Sequence, residues 1–326
     1  MATKYIKEGF VITAIAFSVV VTAAFTPNKK STSAPVVEEL SGTISASGAF
    51  ALYPIVVKWG EEFKKLHPNV KFNISAGGAG KGITDALGGL VNIGLVSRDL
   101  TAAEIKKGAY GVAVTKDAVV ATISSSNPNV QEILTKGISK ATFNNIFIVG
   151  KYKNWKEAGF KVPVPIQVFT RSDAAGAAES WAKYFGKKQE DIQGVGVYGD
   201  PGLLQAVKKA PGGIGFNNIG FAYDVKTRKQ VAGITVVPID LNGNGKIDAD
   251  ENVYGTLDQV VAAITSGKYP SPPARDLLFV TKGKPTDKTV IAFIKWVLTD
   301  GQKFVGSAGY VGFSKEKLDG ELKKLN

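Results

Sequence analysis

The sequence predicts an α/β fold with enough chain for two lobes, and three observations predict it. Short apolar runs of strand character alternate with helical patterns along the chain. The 326 residues, 44% of them hydrophobic, can fill two cores of ordinary size. Glycine-rich segments fall where a strand pattern gives way to a helix pattern, where free backbone amides and the helix dipole can hold an anion.

The predicted strands are 43–46, 70–74, 93–96, 111–114, 119–123, 166–170, 235–239 and 276–281. In the first helix Ile55, Trp59 and Phe63 recur every four residues with Lys58, Glu61, Glu62 and Lys64 between them, so one face is buried and the other wet. Thr101 with Glu104 three residues on forms a capping box for a second helix. Asp200 followed by Pro201 predicts another helix start, because Asp caps free amides and Pro suits the first turn. The helix at 289–299 carries Ile291, Phe293, Ile294, Trp296 and Val297 and is apolar around much of its surface, which predicts deep burial. No repeat with a period of 20 to 50 residues is present.

At the N-terminus Lys4 and Lys7 precede an apolar run at 10–25, so residues 1–25 read as a signal peptide cut near Ala23 or Ala24, or as a retained anchor. Residues 26–42, with Pro27, Ser31, Ser33 and Pro35, read as a flexible linker.

Lys and Arg total 40 against 28 Asp and Glu, a formal charge of +12 that favours anionic partners. The basic residues are scattered and no nucleic-acid-binding pattern appears, so no nucleic acid is expected as partner. There is no Cys, which excludes thiolate chemistry, disulfides and a lipidated cysteine anchor. The single His67 closes the first helix and reads as a solvated helix-end residue. With no nucleophile and base in evidence, the chain is not expected to be an enzyme.

Three loops are candidates for anion binding: Ser47-Gly48-Ala49-Phe50, the glycine-rich run at 76–82 with Lys81 at its mouth, and Arg171-Ser172-Asp173-Ala174-Ala175-Gly176-Ala177. The second loop is not a P-loop, since Ile83 stands where that motif needs Lys. Each glycine loop also reads as a tight turn needing positive φ. Arg171 reads either as a surface residue or as the planar donor that fits a tetrahedral oxyanion, with Asp173 steadying it or capping the next helix.

Residues 240–251 match the twelve-residue calcium loop at every ligand position: Asp240, Asn242, Asn244, the Lys246 carbonyl, Asp248 and a bidentate Glu251, with Gly245 at the sharp turn. A strand pattern precedes it, so a single structural Ca2+ is expected and not a paired sensor.

With these loops in view, the chain resembles the phosphate-binding proteins of ABC importers, a periplasmic-binding-protein-like family. The resemblance rests on Ser47 to Phe50 followed by Lys58-Trp59, Gly77 to Gly82, Asn92 to Leu100, Arg171 to Ala177, Pro211 to Phe216, and the run from Phe293 through Gly301-Gln302-Lys303-Phe304 to Gly309-Tyr310-Val311-Gly312-Phe313-Ser314. It implies two lobes, one at 43–115 and 269–326 and the other at 116–268, closing by hinge motion over a ligand in the cleft between them. It implies phosphate or a related oxyanion as ligand and the membrane components of an importer as partners. Carried over, the ligand-facing positions are Ala49, Phe50, Ala79, Gly80, Ser97, Arg171, Ala175, Gly176 and Ala177, with Asp173 beside Arg171. The chain departs from the family in placing Ala at 49, 79, 175 and 177, where Ser or Thr is usual, and Ser97 or Arg98 where some members have Asp. Each lost hydroxyl bond to an oxyanion removes roughly 1.5 to 3 kcal/mol of gross interaction, which Lys81 or Arg98 would have to replace. Phosphate, another oxyanion and an emptied cleft therefore all stay open. The alternative is a calcium-stabilised surface or filament protein that self-assembles on the same fold.

Overall fold

A computed structural model describes residues 39–326. The predicted signal or anchor at 1–25, and the linker up to residue 38, lie outside the described residues.

The strands are β1 (Gly42–Gly48), β2 (Val70–Ala76), β3 (Ile93–Val96), β4 (Ala109–Ser124), β5 (Ile138–Ser139), β6 (Gln167–Arg171), β7 (Val195–Val197), β8 (Gly213–Asn218), β9 (Ile234–Val236), β10 (Ile239–Asp240) and β11 (Ala274–Lys282). The helices that matter below are α1 (Tyr53–Leu66), α2 (Ala79–Gly88), α3 (Ala102–Lys106), α4 (Val130–Lys136), α5 (Lys140–Asn144), α6 (Gly176–Tyr184) and α7 (Gly199–Lys209). Within the described residues the main sheet runs β2-β1-β3-β11-β4-β8-β6-β7, with β9 paired to β4. β1 to β3 pair in parallel, as do β6, β7 and β8, while β11 runs antiparallel to both β3 and β4.

β4 joins two cores. Its first half contributes Val112 and Val114 to a core built from 44–114 and 277–325, and its second half contributes residues 118–123 to a core built from 118–274 with Val311. Sequence reading splits this strand into 111–114 and 119–123 because Thr115, Lys116 and Asp117 interrupt the apolar run. The backbone continues through them, because β11 pairs with 109–118 and bridges the polar break. The α1 face is buried as its spacing predicts: Ile55, Trp59 and Phe63 are each 1% exposed or less. The α3 capping box at Thr101 and Glu104 is formed. β8 was not anticipated as a strand, since Gly213 and Gly215 weaken its strand pattern. A Cβ at Gly215 would sit 2.7 Å from the Leu203 side chain, so glycine there lets α7 pack directly on β8.

Candidate functional site

The glycine loops meet across the two cores. Ala49 and Phe50 follow β1, Ala79 opens α2, Ser97 follows β3, and Ala175, Gly176 and Ala177 open α6. Together with Arg171 at the end of β6 they line one cavity, completed by Ala51, Gly78, Asp200 and Asn218 and holding about 150 Å3 of space between atoms. That space is too narrow at every point for a water molecule, so the walls stand closed on each other. Gly80 donates its N–H to the Ala174 carbonyl across the cleft at 2.9 Å. A Cβ at Gly176 would lie 2.2 Å from Ser97 Oγ, so only glycine permits this approach.

Arg171 is held on two sides by carboxylates. Its Nε donates to Asp173 Oδ1 at 2.8 Å, one terminal nitrogen to Asp173 Oδ2 at 2.5 Å and the other to Asp200 Oδ2 at 2.5 Å. Burial works against the Arg171 charge, but Asp200 and Asp173 outweigh it and hold its pKa above the ordinary value. The Phe50 ring lies 5.2 Å from the guanidinium carbon and meets Tyr198 edge-on at 5.8 Å. One cation between two carboxylates leaves a net charge of about −1 here, so a bound anion depends on backbone amides as well. The first-turn amides of α6 have no carbonyl one turn back to bond and are placed for that role.

Several expectations change. Lys81 does not reach the cavity, because it pairs with Asp85 one turn along α2. Arg98 also turns away, its terminal nitrogens bonding Glu104 at 2.9 and 2.7 Å. Neither therefore replaces the hydroxyls absent at 49, 79, 175 and 177. Asp173 fixes Arg171 and does not cap α6, which has no side-chain cap. Asp200 is not a cap either: α7 begins at Gly199, and the Asp200 carboxylate bonds Arg171 and the Asn218 N–H.

Sequence reading missed a second guanidinium. Arg275 on β11 donates to the Ser97 carbonyl at 3.1 Å, to Asn218 Oδ1 and to Asp117 Oδ2 at 3.4 Å. Its remaining terminal nitrogen and Asp117 Oδ1 are buried without a hydrogen-bond partner. Burial pushes the Asp117 carboxyl up to about 6, with Arg275 opposing. Charged residues interrupting the apolar runs of β4 and β11 were the signal that could have found this pair.

The loop at 240–251 is folded around its own carboxylates. Asp240 accepts from the N–H groups of Gly243, Asn244 and Gly245, and Glu251 from those of Leu241, Asn242 and Asp248. Asp248 pairs with Lys246 Nζ at 2.8 Å and accepts from the Asn242 and Asn244 amides, which holds its carboxyl down at about 2. Among the described residues no three His, Cys, Asp or Glu side chains converge as a metal cluster. The sequence pattern draws three of its six ligand positions from Asn242, Asn244 and the Lys246 carbonyl and not from acidic side chains. The loop is tied to the fold by β10 pairing with β5 and by Ile247 N–H bonding the Thr135 carbonyl at 2.9 Å.

A family model described as a PBP superfamily domain matches residues 30–301. The chain is 32% identical over 188 residues to the phosphate-binding protein PstS of Bacillus subtilis, covering 57% of this chain and 59% of that relative, less than two thirds of its length. It is 25% identical over 315 residues to PstS of Pseudomonas aeruginosa, covering 88% of each. Among solved structures it is similar to a putative phosphate ABC transporter substrate-binding protein with bound phosphate from Clostridium perfringens, with a TM-score of 0.68, 24% identity, and coverage of 84% of this chain and 100% of the other. An ABC-type phosphate transport receptor from Vibrio cholerae gives a TM-score of 0.61 at 18% identity, covering 83% of this chain and 100% of that one. At these identities the two structures establish the fold.

Proposed function

Because the chain belongs to the PBP superfamily, we propose that it is an extracytoplasmic solute-binding protein, and not an enzyme, that delivers phosphate or a related oxyanion to the membrane components of an ABC importer. The observation that carries the reading is the cavity itself: eight positions expected to face the ligand line one closed space with Arg171 at its wall. The phosphate-binding relatives support the ligand class. An export role is supported by Lys4 and Lys7 preceding the apolar run at 10–25. Among the described residues no helix is long and apolar enough to cross a membrane. The lobes must part to admit a ligand and close over it, a hinge motion through β4 and β11. With four hydroxyls absent, binding is weak for the family and rests on amides and Arg171. Isothermal titration with phosphate tests this: heat saturating at millimolar concentration or below supports the reading, and no heat with phosphate, arsenate or sulfate ends it.

We also propose a structural Ca2+ in the loop at 240–251, supported by the order of its ligand residues and by the nearly complete burial of Asp240 and Glu251, each 4% exposed, with no cationic side chain among the described residues bonded to either. The ion's role is to staple β10 and the loop onto α4 and β5. At a calcium concentration 100 times Kd it adds about 2.7 kcal/mol of stability. Thermal unfolding in calcium and in a chelator reads this directly, and equal midpoints would remove the ion from the account. No observation in the described residues favours the filament alternative.

A further inference from the structure

Beside the anion cavity lies a groove of about 1000 Å3 that no step above uses. It opens between the two lobes, bounded by residues 98–101 and 271–276 on one side and 174–190 on the other. Ala175 lines both spaces. Gln189 ties the groove wall to the cavity loop by accepting from the Ala175 N–H and donating to the Asp173 carbonyl. A volume of this size is in the range of pockets that hold ligands much larger than orthophosphate.

The uncompensated cations of the groove are Lys187 and Lys188, since Arg98 is held by Glu104 and Arg275 faces Asp117. Lys183 is bonded to Asp99 at 2.6 Å across the mouth, and Lys116 lies 4.0 Å from Asp276. Lys187 and Lys188 are exposed, and among the described residues no acidic side chain pairs with them. Arg275, whose side chain is 6% exposed, has a terminal nitrogen with neither a protein partner nor access to solvent. A buried guanidinium donor left unbonded is unfavourable, and an anionic oxygen can bond it once the lobes part and uncover it. Arg171, by contrast, is already engaged by two carboxylates, so the spare cationic capacity of the cleft is on the groove side.

We propose that this groove is a second anion subsite and that the protein takes condensed phosphates, one phosphoryl group in the cavity and the next against Arg275, Lys187 and Lys188. The inference rests on the oxyanion reading of the cavity. Titration of the purified protein with orthophosphate and with pyrophosphate, at matched ionic strength and without divalent cations, tests it. Pyrophosphate should bind about tenfold tighter than orthophosphate or better. The double variant Lys187→Ala/Lys188→Ala, altered only at exposed positions, should lose most of that advantage and keep its orthophosphate affinity within about twofold, whereas Lys187→Arg/Lys188→Arg should retain both. Equal affinity for the two anions, or a double variant that still prefers pyrophosphate as strongly as the parent, overturns the groove and leaves the cavity reading intact. Pyrophosphate binding without orthophosphate binding would overturn the cavity reading and keep the groove; binding of neither would end both.

Discussion

The cleft contains two buried guanidinium groups in opposite circumstances. Arg171 lies between Asp173 and Asp200 and makes three bonds to carboxylate oxygens, all at 2.8 Å or less. Arg275 reaches one carboxylate at 3.4 Å, spends its other bonds on a carbonyl and an amide oxygen, and has a nitrogen left over. The two are linked through Asn218, whose N–H bonds Asp200 and whose side-chain oxygen accepts from Arg275. The difference teaches that a buried arginine is not by itself an anion receptor. Its free donors and the net charge around it decide, and on both counts Arg275 is the more open of the pair.

The largest test of this contrast is Arg171→Ala. It leaves Asp173 and Asp200 facing each other in a closed site, and should cost about 3 to 5 kcal/mol of folding stability, read by chemical denaturation. A loss under about 1 kcal/mol would mean that the two carboxylates are not fully desolvated. Next is the pH dependence written by the partner of Arg275. The Asp117 carboxyl, ordinarily near 3.9, is pushed up to about 6 in the folded protein, so between those values the folded state holds the proton more tightly than the unfolded one. Stability from this group should therefore fall by about 3 kcal/mol as pH rises from about 4 to 6 and stay level above. Asp117→Asn should flatten that slope in melts across the range, and an unchanged slope would assign it to other groups. Third, Asp200→Asn removes one negative charge beside Arg171 and keeps an oxygen to accept the Asn218 N–H. Anion affinity should rise about tenfold, and a decrease would make Asp200 a ligand contact in its own right. Smallest is Lys81→Ala, which removes the exposed partner of the buried Asp85 and should leave anion affinity within about twofold of the parent.

The legible part of this molecule was whatever local spacing determines. The buried stripe of α1, the α3 cap and the positions of the cavity loops follow from periodicity and from glycine placed after strands, and all are present. What spacing hides is partnership across the chain. Asp200 looks like a helix cap because Asp before Pro usually is one; its actual partner is Arg171, 29 positions earlier. Lys81 and Arg98 look like anion donors because they are cationic and near the loops, yet each has an acidic side chain within six residues and takes it. Arg275 and Asp117 escape a reading by local spacing because each falls just outside a predicted strand, Arg275 before 276–281 and Asp117 between 111–114 and 119–123, whereas the two strands run through them and pair them.

β11 lies between β3 and β4 in the sheet, and this has a consequence in time. As the chain emerges from its N-terminal end, the strands and helices between 118 and 274 form a contiguous stretch that can assemble by itself. The other lobe begins earlier and finishes later, since its sheet has a gap until residues 274–282 arrive to fill it. The half that starts first is completed last, and until then it presents two unpaired strand edges. A chain exported before it folds would cross the membrane with that gap still open.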